Sequence, residues 1–302
     1  MGGYFVAFEF FCGIMNLGRW YIMKIMVLGS GGFGYPLAFC DCEYCAEARR
    51  LKGKNIRKRA SILINDEMLV DLTPDAQTAM NMYDKDMSKV DYLLQTHTHL
   101  DHFDLNLFIT LDYKYAIKKE NKLNLVCSKL CLDDIQQKLS MYEKMNLFDA
   151  EYLKKIKLAT NVLNYGENLD FEKYQIKAIH CLHHKDIGAQ NYLIKSEGKT
   201  LLYATDTPPI TEQAINELAG EKIDCIFLDE SFGVNDYMFA HLNIKGFCEY
   251  VDTLKANDLL SENVLVYATH LTHDGNPLHD ELQKIFDEYG YFVAYDGMEI
   301  EI

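Results

Sequence analysis

The sequence predicts an α/β protein of four layers, two mixed β-sheets packed face to face with helices on their outer sides. Three observations carry this prediction. Short runs rich in β-branched and aromatic residues recur along the chain. Early in the chain they come as adjacent pairs, and later they alternate with helical stretches. With 302 residues, 49% of them hydrophobic, the chain can bury a full core without disulfides.

The strand-like runs are 24–28 (KIMVL), 60–64 (ASILI), 67–72 (EMLVDL), 91–95 (DYLLQ), 123–127 (LNLVC), 174–180 (YQIKAIH), 190–195 (QNYLIK), 200–204 (TLLYA), 224–229 (DCIFLD), 263–268 (NVLVYA) and 291–295 (YFVAY). Helical stretches are expected at 74–82, 104–118, 130–146, 211–219, 243–256 and 277–289. The clearest is 243–256, where Asn243 can cap the first turn and Ile244, Phe247, Tyr250, Val251 and Leu254 recur at core-facing spacing. Residues 104–160, rich in Lys, Tyr and Leu, read as a helical insertion that caps a single domain spanning 23–302. Residues 1–22 read as an extra segment before a natural start at Met23. They lack the basic start and small-residue cleavage site of a signal peptide, and Glu9, Arg19 and several glycines interrupt them too often for a membrane span.

The formal net charge of −15 disfavours long nucleic acids, whose binders present a basic face. One run, RRLKGKNIRKR at 49–59, is strongly basic; a solvated loop is the plain reading and a phosphate-attracting rim the alternative. Nine cysteines, an odd number with only three clustered, form no disulfide framework and point to a reducing cytoplasm. A homodimer is compatible with all of this, and no membrane partner is expected.

The chemistry concentrates in LLQTHTHLDHFD, residues 93–104. His97 and His99 leave a predicted strand two residues apart, so they can point the same way. Asp101 and His102 follow on a turn and can face a second ion. Imidazole and carboxylate together suit Zn, Mn or Fe, and a close pair of divalent ions can activate a bridging water and clamp a phosphoryl group. Further candidates stand at other strand ends: His180, His183 and His184 in IHCLHHKD, Asp206 in YATDT, and His270 and His273 in YATHLTHD. Strand-end loops are where α/β proteins build sites.

This H-x-H-x-D-H motif, followed in order by a His, an Asp and a His, resembles the metallo-β-lactamase superfamily over residues 24 to about 296. The resemblance implies an αββα sandwich with a metal pair between the sheets. By the resemblance, His97, His99 and His184 would hold the first ion, Asp101, His102 and His270 the second, and Asp206 would bridge them. His184 is preferred to His183 because in the resembling branch the liganding His precedes an apolar strand by about eight residues, which fits Tyr192. His183 is then a supporting histidine, and His180 a core residue. Asp rather than Cys at the bridging position fits the phosphodiesterase branches better than the β-lactam-hydrolysing one.

Cys40, Cys42 and Cys45 in FCDCEYC have metal-ligand spacing. The loop resembles that of a PhnP-type cyclic phosphodiesterase and PqqB-like subgroup, which implies His273 as fourth ligand of a closed Cys₃His structural zinc. His241, just ahead of the helix at 243–256, is the candidate proton donor, with Glu230 of FLDESF to orient it. That pairing is similar to one in ribonuclease Z. Asp101, His241 and Glu230 are thus the residues assigned to the reaction itself. His279 reads as a surface residue, and GSGG at 29–32 as a tight turn under the metals rather than a phosphate loop. Together these imply a di-metal hydrolase, foremost a phosphodiesterase acting through a metal-bridging hydroxide on a small phosphate ester, cyclic esters included. The alternatives are a lactone or thioester hydrolase, a tRNA 3′-processing nuclease and a non-catalytic PqqB-like carrier.

Overall fold

In the computed structural model, residues 22–118, 120–142 and 144–302 are described; the expected extra N-terminal segment lies outside them, Ile22 apart. Six strands, β1 (Lys24–Gly29), β2 (Ser61–Ile64), β3 (Met68–Val70), β4 (Tyr92–Leu94), β5 (Leu123–Cys127) and β6 (Leu158–Val162), precede eight more. These are β7 (Asn168–Asp170), β8 (Gln175–His180), β9 (Gln190–Ser196), β10 (Lys199–Ala204), β11 (Ile223–Asp229), β12 (Leu260–Thr269), β13 (Phe292–Val293) and β14 (Glu299–Glu301). The helices are α1 (Glu43–Leu51), α2 (Ala76–Met82), α3 (Leu105–Ile109), α4 (Lys129–Tyr142), α5 (Ala150–Lys155), α6 (Glu212–Leu218), α7 (Ile244–Ala256) and α8 (His279–Asp287).

Two seven-stranded sheets form, in the orders β14-β1-β2-β3-β4-β5-β6 and β13-β12-β11-β10-β9-β8-β7. Each is antiparallel in one half and parallel in the other: β3 to β6 run parallel in the first, and β10 to β13 in the second. The period of two along each strand separates the layers. Met68, Val70 and Leu94 face the second sheet, meeting Tyr192, Tyr203 and Phe227, while Leu69 and Leu93 turn outward onto Met80, Phe108 and Ile135 of the helices. In β11, Cys225 and Phe227 point between the sheets, and Ile226 and Leu228 point to Phe247, Val251 and Phe286. The predicted four-layer αββα sandwich is the observed architecture. Asn243 caps α7 as expected, its side-chain oxygen accepting from Gly246 N at 2.8 Å.

Residues 104–160 correct an expectation. They are not an insertion, because β5 and β6 pair in parallel within the first sheet and α4 packs over it through Cys131, Leu132, Ile135 and Leu139. β6, β7 and β14 escaped detection because each lies at or next to a sheet edge and has exposed positions that break the apolar run. In the basic run at 49–59, Arg50, Lys52 and Lys54 are exposed, while the other four are engaged by the protein. Arg49 bonds the carbonyls of Leu37 and Cys40, and Arg57 is buried against Ser30, the Ala294 carbonyl and His279. Lys58 pairs with Asp296 and Arg59 with Asp75. His279 is therefore buried rather than a surface residue, and its pKa falls to about 4 through burial and the charge of Arg57.

Candidate metal centre

β8 runs parallel to β10, since both are antiparallel to β9 between them. The C-terminal ends of β8, β10, β11 and β12 therefore open at one rim, opposite the loop after β4. That loop carries His97, His99, Asp101 and His102, and the rim carries His183, Asp206, Asp229 and His270. Asp71, Asp206 and His270 all adopt the left-handed backbone conformation, with φ of +65°, +50° and +63°. Non-glycine residues hold that conformation only where packing enforces it, and such strain clusters at functional sites.

Two donor sets result. In the first, His97 Nε2 lies 3.0 Å from His99 Nδ1, and His183 Nε2 lies 3.1 Å from the same atom. Asp206 Oδ2 completes this set, 3.0 Å from His97 and 3.3 Å from His183. In the second, His102 Nε2 and His270 Nε2 are 3.2 Å apart, and Asp101 Oδ2 lies 3.5 and 3.4 Å from them. Asp206 enters here too, with Oδ2 3.1 Å from His102 and Oδ1 2.7 Å from His270.

His183, not His184, is thus the third histidine of the first set. Side chains alternate as the chain leaves β8, so Cys181 and His183 share the inner face; the Cys181 thiol reaches the Asp206 carbonyl at 3.2 Å. Leu182 and His184 turn out, and His184 is exposed, meeting the edge of the His99 ring at 5.1 Å and the His183 ring at 6.5 Å between centroids. His180 sits on the strand itself, its ring bonded to Thr211 Oγ1 at 2.9 Å. We expect His183→Ala to lose one active-site ion per chain and His184→Ala to retain all, as read by elemental analysis of desalted protein. Retention by the His183 variant would reverse the assignment.

Four of the five histidines in the two sets, His99 apart, are held by their other nitrogen, the arrangement that fixes the orientation of metal ligands. His102 Nδ1 meets the buried Asp71 carboxylate at 2.8 Å, and His97 Nδ1 meets Thr96 Oγ1 at 2.9 Å. His270 Nδ1 meets Ser231 Oγ at 2.9 Å, and His183 Nδ1 meets the Ala240 carbonyl at 3.2 Å. Asp71 also gathers Thr96 N, Thr96 Oγ1 and Gln95 Nε2. Asp71, Asp229 and Ser231 were not singled out from sequence. The one signal for Asp71 is an acid closing an apolar strand, LVDL.

His241 lies beside the second set, its ring stacked on His270 with centroids 5.2 Å apart. Its orienting acid is Asp229, whose Oδ2 accepts from Nδ1 at 2.8 Å, and not the expected Glu230. The two acids are consecutive, so they face opposite ways. Asp229 turns to His241 and Ser231, whereas the Glu230 carboxyl is buried away from His241, and burial holds its pKa well up. Burial would lower the pKa of His241, but the charge and hydrogen bond of Asp229 raise it above the ordinary value.

The pocket favours positive charge. Burial pushes His270 down, yet the Asp206 and Asp101 carboxylates outweigh it and raise its pKa to about 10. His97, nearer other imidazoles, is driven by burial and by His102 down to about 3 and stays a neutral donor. Ring nitrogens facing each other at 3.0–3.2 Å, with carboxylate oxygens among them, match donor spacings around a small cation with bonds of about 2.0–2.2 Å. The residues fit a pair of divalent ions.

A separate cluster joins the two ends of the chain. The Cys40 and Cys42 sulfurs each lie 3.5 Å from His273 Nδ1, and the Cys45 sulfur is within 4.8 Å of all of them. The backbone N–H of Cys42 donates to the Cys40 sulfur, that of Cys45 to Cys42 and that of Leu37 to Cys45. The hydrogen bond to His273 holds the Cys42 pKa down to about 6, while burial pushes Cys45 up to about 11. Four protein donors at near-tetrahedral spacing fit a closed structural zinc. Leu271, between His270 and His273, pairs with the Ser30–Gly32 turn (Leu271 N to Ser30 O, Gly32 N to Leu271 O, both 3.0 Å), so this cluster braces the loop that bears His270.

Comparison with known proteins agrees with this fold. No curated protein matches in sequence. Among solved structures, a diphosphatase of the PhnP family is similar at 21% identity and a TM-score of 0.70, over 93% of this chain and 97% of that one. The metallo-beta-lactamase fold protein YhfI from Bacillus subtilis is similar at 18% identity and 0.65, over 93% and 100%. Zinc-bound PqqB from Methylobacterium extorquens is similar at 17% and 0.64, over 92% and 100%. A family model described as beta-lactamase superfamily domain matches residues 67–262, which hold every inward histidine and carboxylate of the two donor sets except His270. The chain belongs to the metallo-β-lactamase superfamily.

Proposed function

We propose that this protein is a di-metal phosphodiesterase acting on a small phosphate ester, cyclic esters included. The observation that carries the reading is the pair of donor sets sharing Asp206, with the His241–Asp229 couple directly alongside. His97, His99 and His183 would hold one ion, Asp101, His102 and His270 the other, with Asp206 common to both. Two divalent ions, zinc or manganese with iron as a further candidate, would supply Lewis-acid activation of water and charge neutralisation at phosphorus.

The chain's own part is orientation and proton transfer. Asp229 holds His241 through Nδ1, leaving Nε2 to deliver a proton to the departing oxygen. Asp229 acts as a positioning residue, and the negative charge beside the ring keeps that proton available. Phe232 meets His241 edge-on at 5.7 Å and packs with Tyr237 and Phe239, setting an apolar surface beside the leaving group for the organic part of the ester. Asp206, an oxygen donor at the shared position, suits hard oxyanion chemistry. One of the similar folds is a diphosphatase. The pairing of Lys58 and Arg59 of the basic run within the protein and the −15 net charge argue against a long nucleic acid as substrate. No helix among the described residues is long and apolar enough to cross a membrane. The odd cysteine count, with no disulfide framework, supports a cytoplasmic location.

His241→Ala should keep its metals and lose about 10²–10⁴-fold in turnover on alkyl phosphodiesters. The loss should shrink on p-nitrophenyl esters, whose leaving group needs no proton. Steady-state kinetics on both substrates, with metal content measured on the same samples, decides it. Equal losses would remove His241 as donor. Lactone hydrolysis by the native protein without phosphodiester turnover would overturn the substrate class.

A further inference from the structure

We propose a third, weaker divalent-cation position beside the metal pair, formed by Asp206 Oδ1, Asp229 Oδ2, His241 Nδ1 and Ser231 Oγ, whose filling switches turnover off. The inference rests on the two-ion reading of the same pocket. Asp206 Oδ2 lies 3.0, 3.3 and 3.1 Å from His97, His183 and His102, so that one oxygen touches both sets. Oδ1 is left over. It is buried, accepts no hydrogen bond, and faces His270 Nε2 at 2.7 Å and His241 Nδ1 at 3.6 Å. Asp206 as a whole is only 3% exposed, so water cannot readily satisfy that atom.

The other donors gather around His241 Nδ1. Asp229 Oδ2 is 2.8 Å from His241 Nδ1 and 3.6 Å from His270 Nδ1. Ser231 Oγ is 3.3 Å from His241 Nδ1 and 3.1 Å from Asp229 Oδ1. Asp206, Asp229, His241 and His270 each offer a donor atom within 4.8 Å of the others. Spacings of 2.8 to 3.6 Å match those around an ion with bonds near 2.1 Å. One imidazole, two carboxylates and a hydroxyl suit Zn²⁺ or Mn²⁺. Fewer histidines contribute than in either main set, so this position fills last.

An ion there takes the Nδ1 atom by which Asp229 orients His241. The proton donor is then held in the wrong state for delivery, so excess metal inhibits. The test is equilibrium dialysis of the full chain against rising Zn²⁺, with phosphodiester turnover measured at each point. The expected result is three tightly bound ions, one per donor set, followed by a weaker fourth. Turnover should drop by at least about tenfold as the fourth binds, since a general acid supplies about 10²–10⁴-fold. His241→Ala and the shape-conserving Asp229→Asn should each keep the three tight ions, lose the fourth, and show no further drop at high Zn²⁺. A fourth ion that persists in both variants, or native protein that saturates at three ions with level turnover, would overturn the proposal. Fewer than three tight ions would instead remove the two-ion reading beneath it, a separate and recognisable outcome.

Discussion

Asp206→Ala should empty both active-site ion positions together and leave the Cys₃His ion in place. No other side chain among the described residues belongs to both donor sets: Oδ2 stands 3.0 Å from His97 Nε2 and 3.1 Å from His102 Nε2. Without it the first set keeps three imidazoles and loses its only carboxylate, and the second keeps Asp101, His102 and His270. An ion pair contributes several kcal/mol at the transition state, so turnover should fall by on the order of 10³-fold or more. Elemental analysis should find about two ions fewer per chain than in native protein. Asp101→Ala is the informative contrast, because it touches only the second set and should cost one ion. If Asp206→Ala retained a full pair, the shared role of this residue would be wrong.

Cys42→Ser should damage folding before chemistry. Cys42 caps α1, its sulfur accepting from the backbone of Cys45, and lies 3.5 Å from His273. A structural Cys/His zinc contributes on the order of 10 kcal/mol to small domains that depend on it, comparable with the net stability of a whole domain. Serine keeps the cap but not the thiolate. The variant should lose its structural zinc and melt earlier or become insoluble. Because the 271–273 segment is braced against the Ser30–Gly32 turn, a soluble fraction should also hold the second active-site ion more weakly through His270. Unchanged melting and unchanged zinc content would contradict the closed-site assignment.

How much of this was legible follows from the range of the interactions. Four-layer architecture was readable because interior strands such as β10 and β11 carry continuous apolar runs (LLYA, CIFL), and α7 shows its buried face at helical spacing. The edge strands β6, β7 and β14 were not, since their exposed positions break the apolar run. Candidate histidines were readable by local density, as in 97–102. Their facing was not. His184 for His183 and Glu230 for Asp229 are both displacements by one residue, at places where a strand gives way to a loop and the alternation of faces has no fixed origin in the sequence. Asp71 stands more than twenty residues before His102, and only the parallel pairing of β3 with β4 brings them together. The ion pairs of Lys58 and Arg59 in the basic run were hidden for the same reason: their partners Asp296 and Asp75 are distant in the chain.

The most direct test of the central claim is a metal titration of chelator-stripped protein, counting bound ions and assaying phosphodiester, phosphomonoester and lactone hydrolysis at every step with Zn²⁺ or Mn²⁺. This account predicts that phosphodiester turnover stays near background until the His/Asp sets fill and reaches its maximum at three ions per chain, one structural and two in the pocket. Phosphodiester turnover that is full with a single ion bound, or a fully loaded protein that cleaves lactones and leaves every phosphodiester intact, would contradict it.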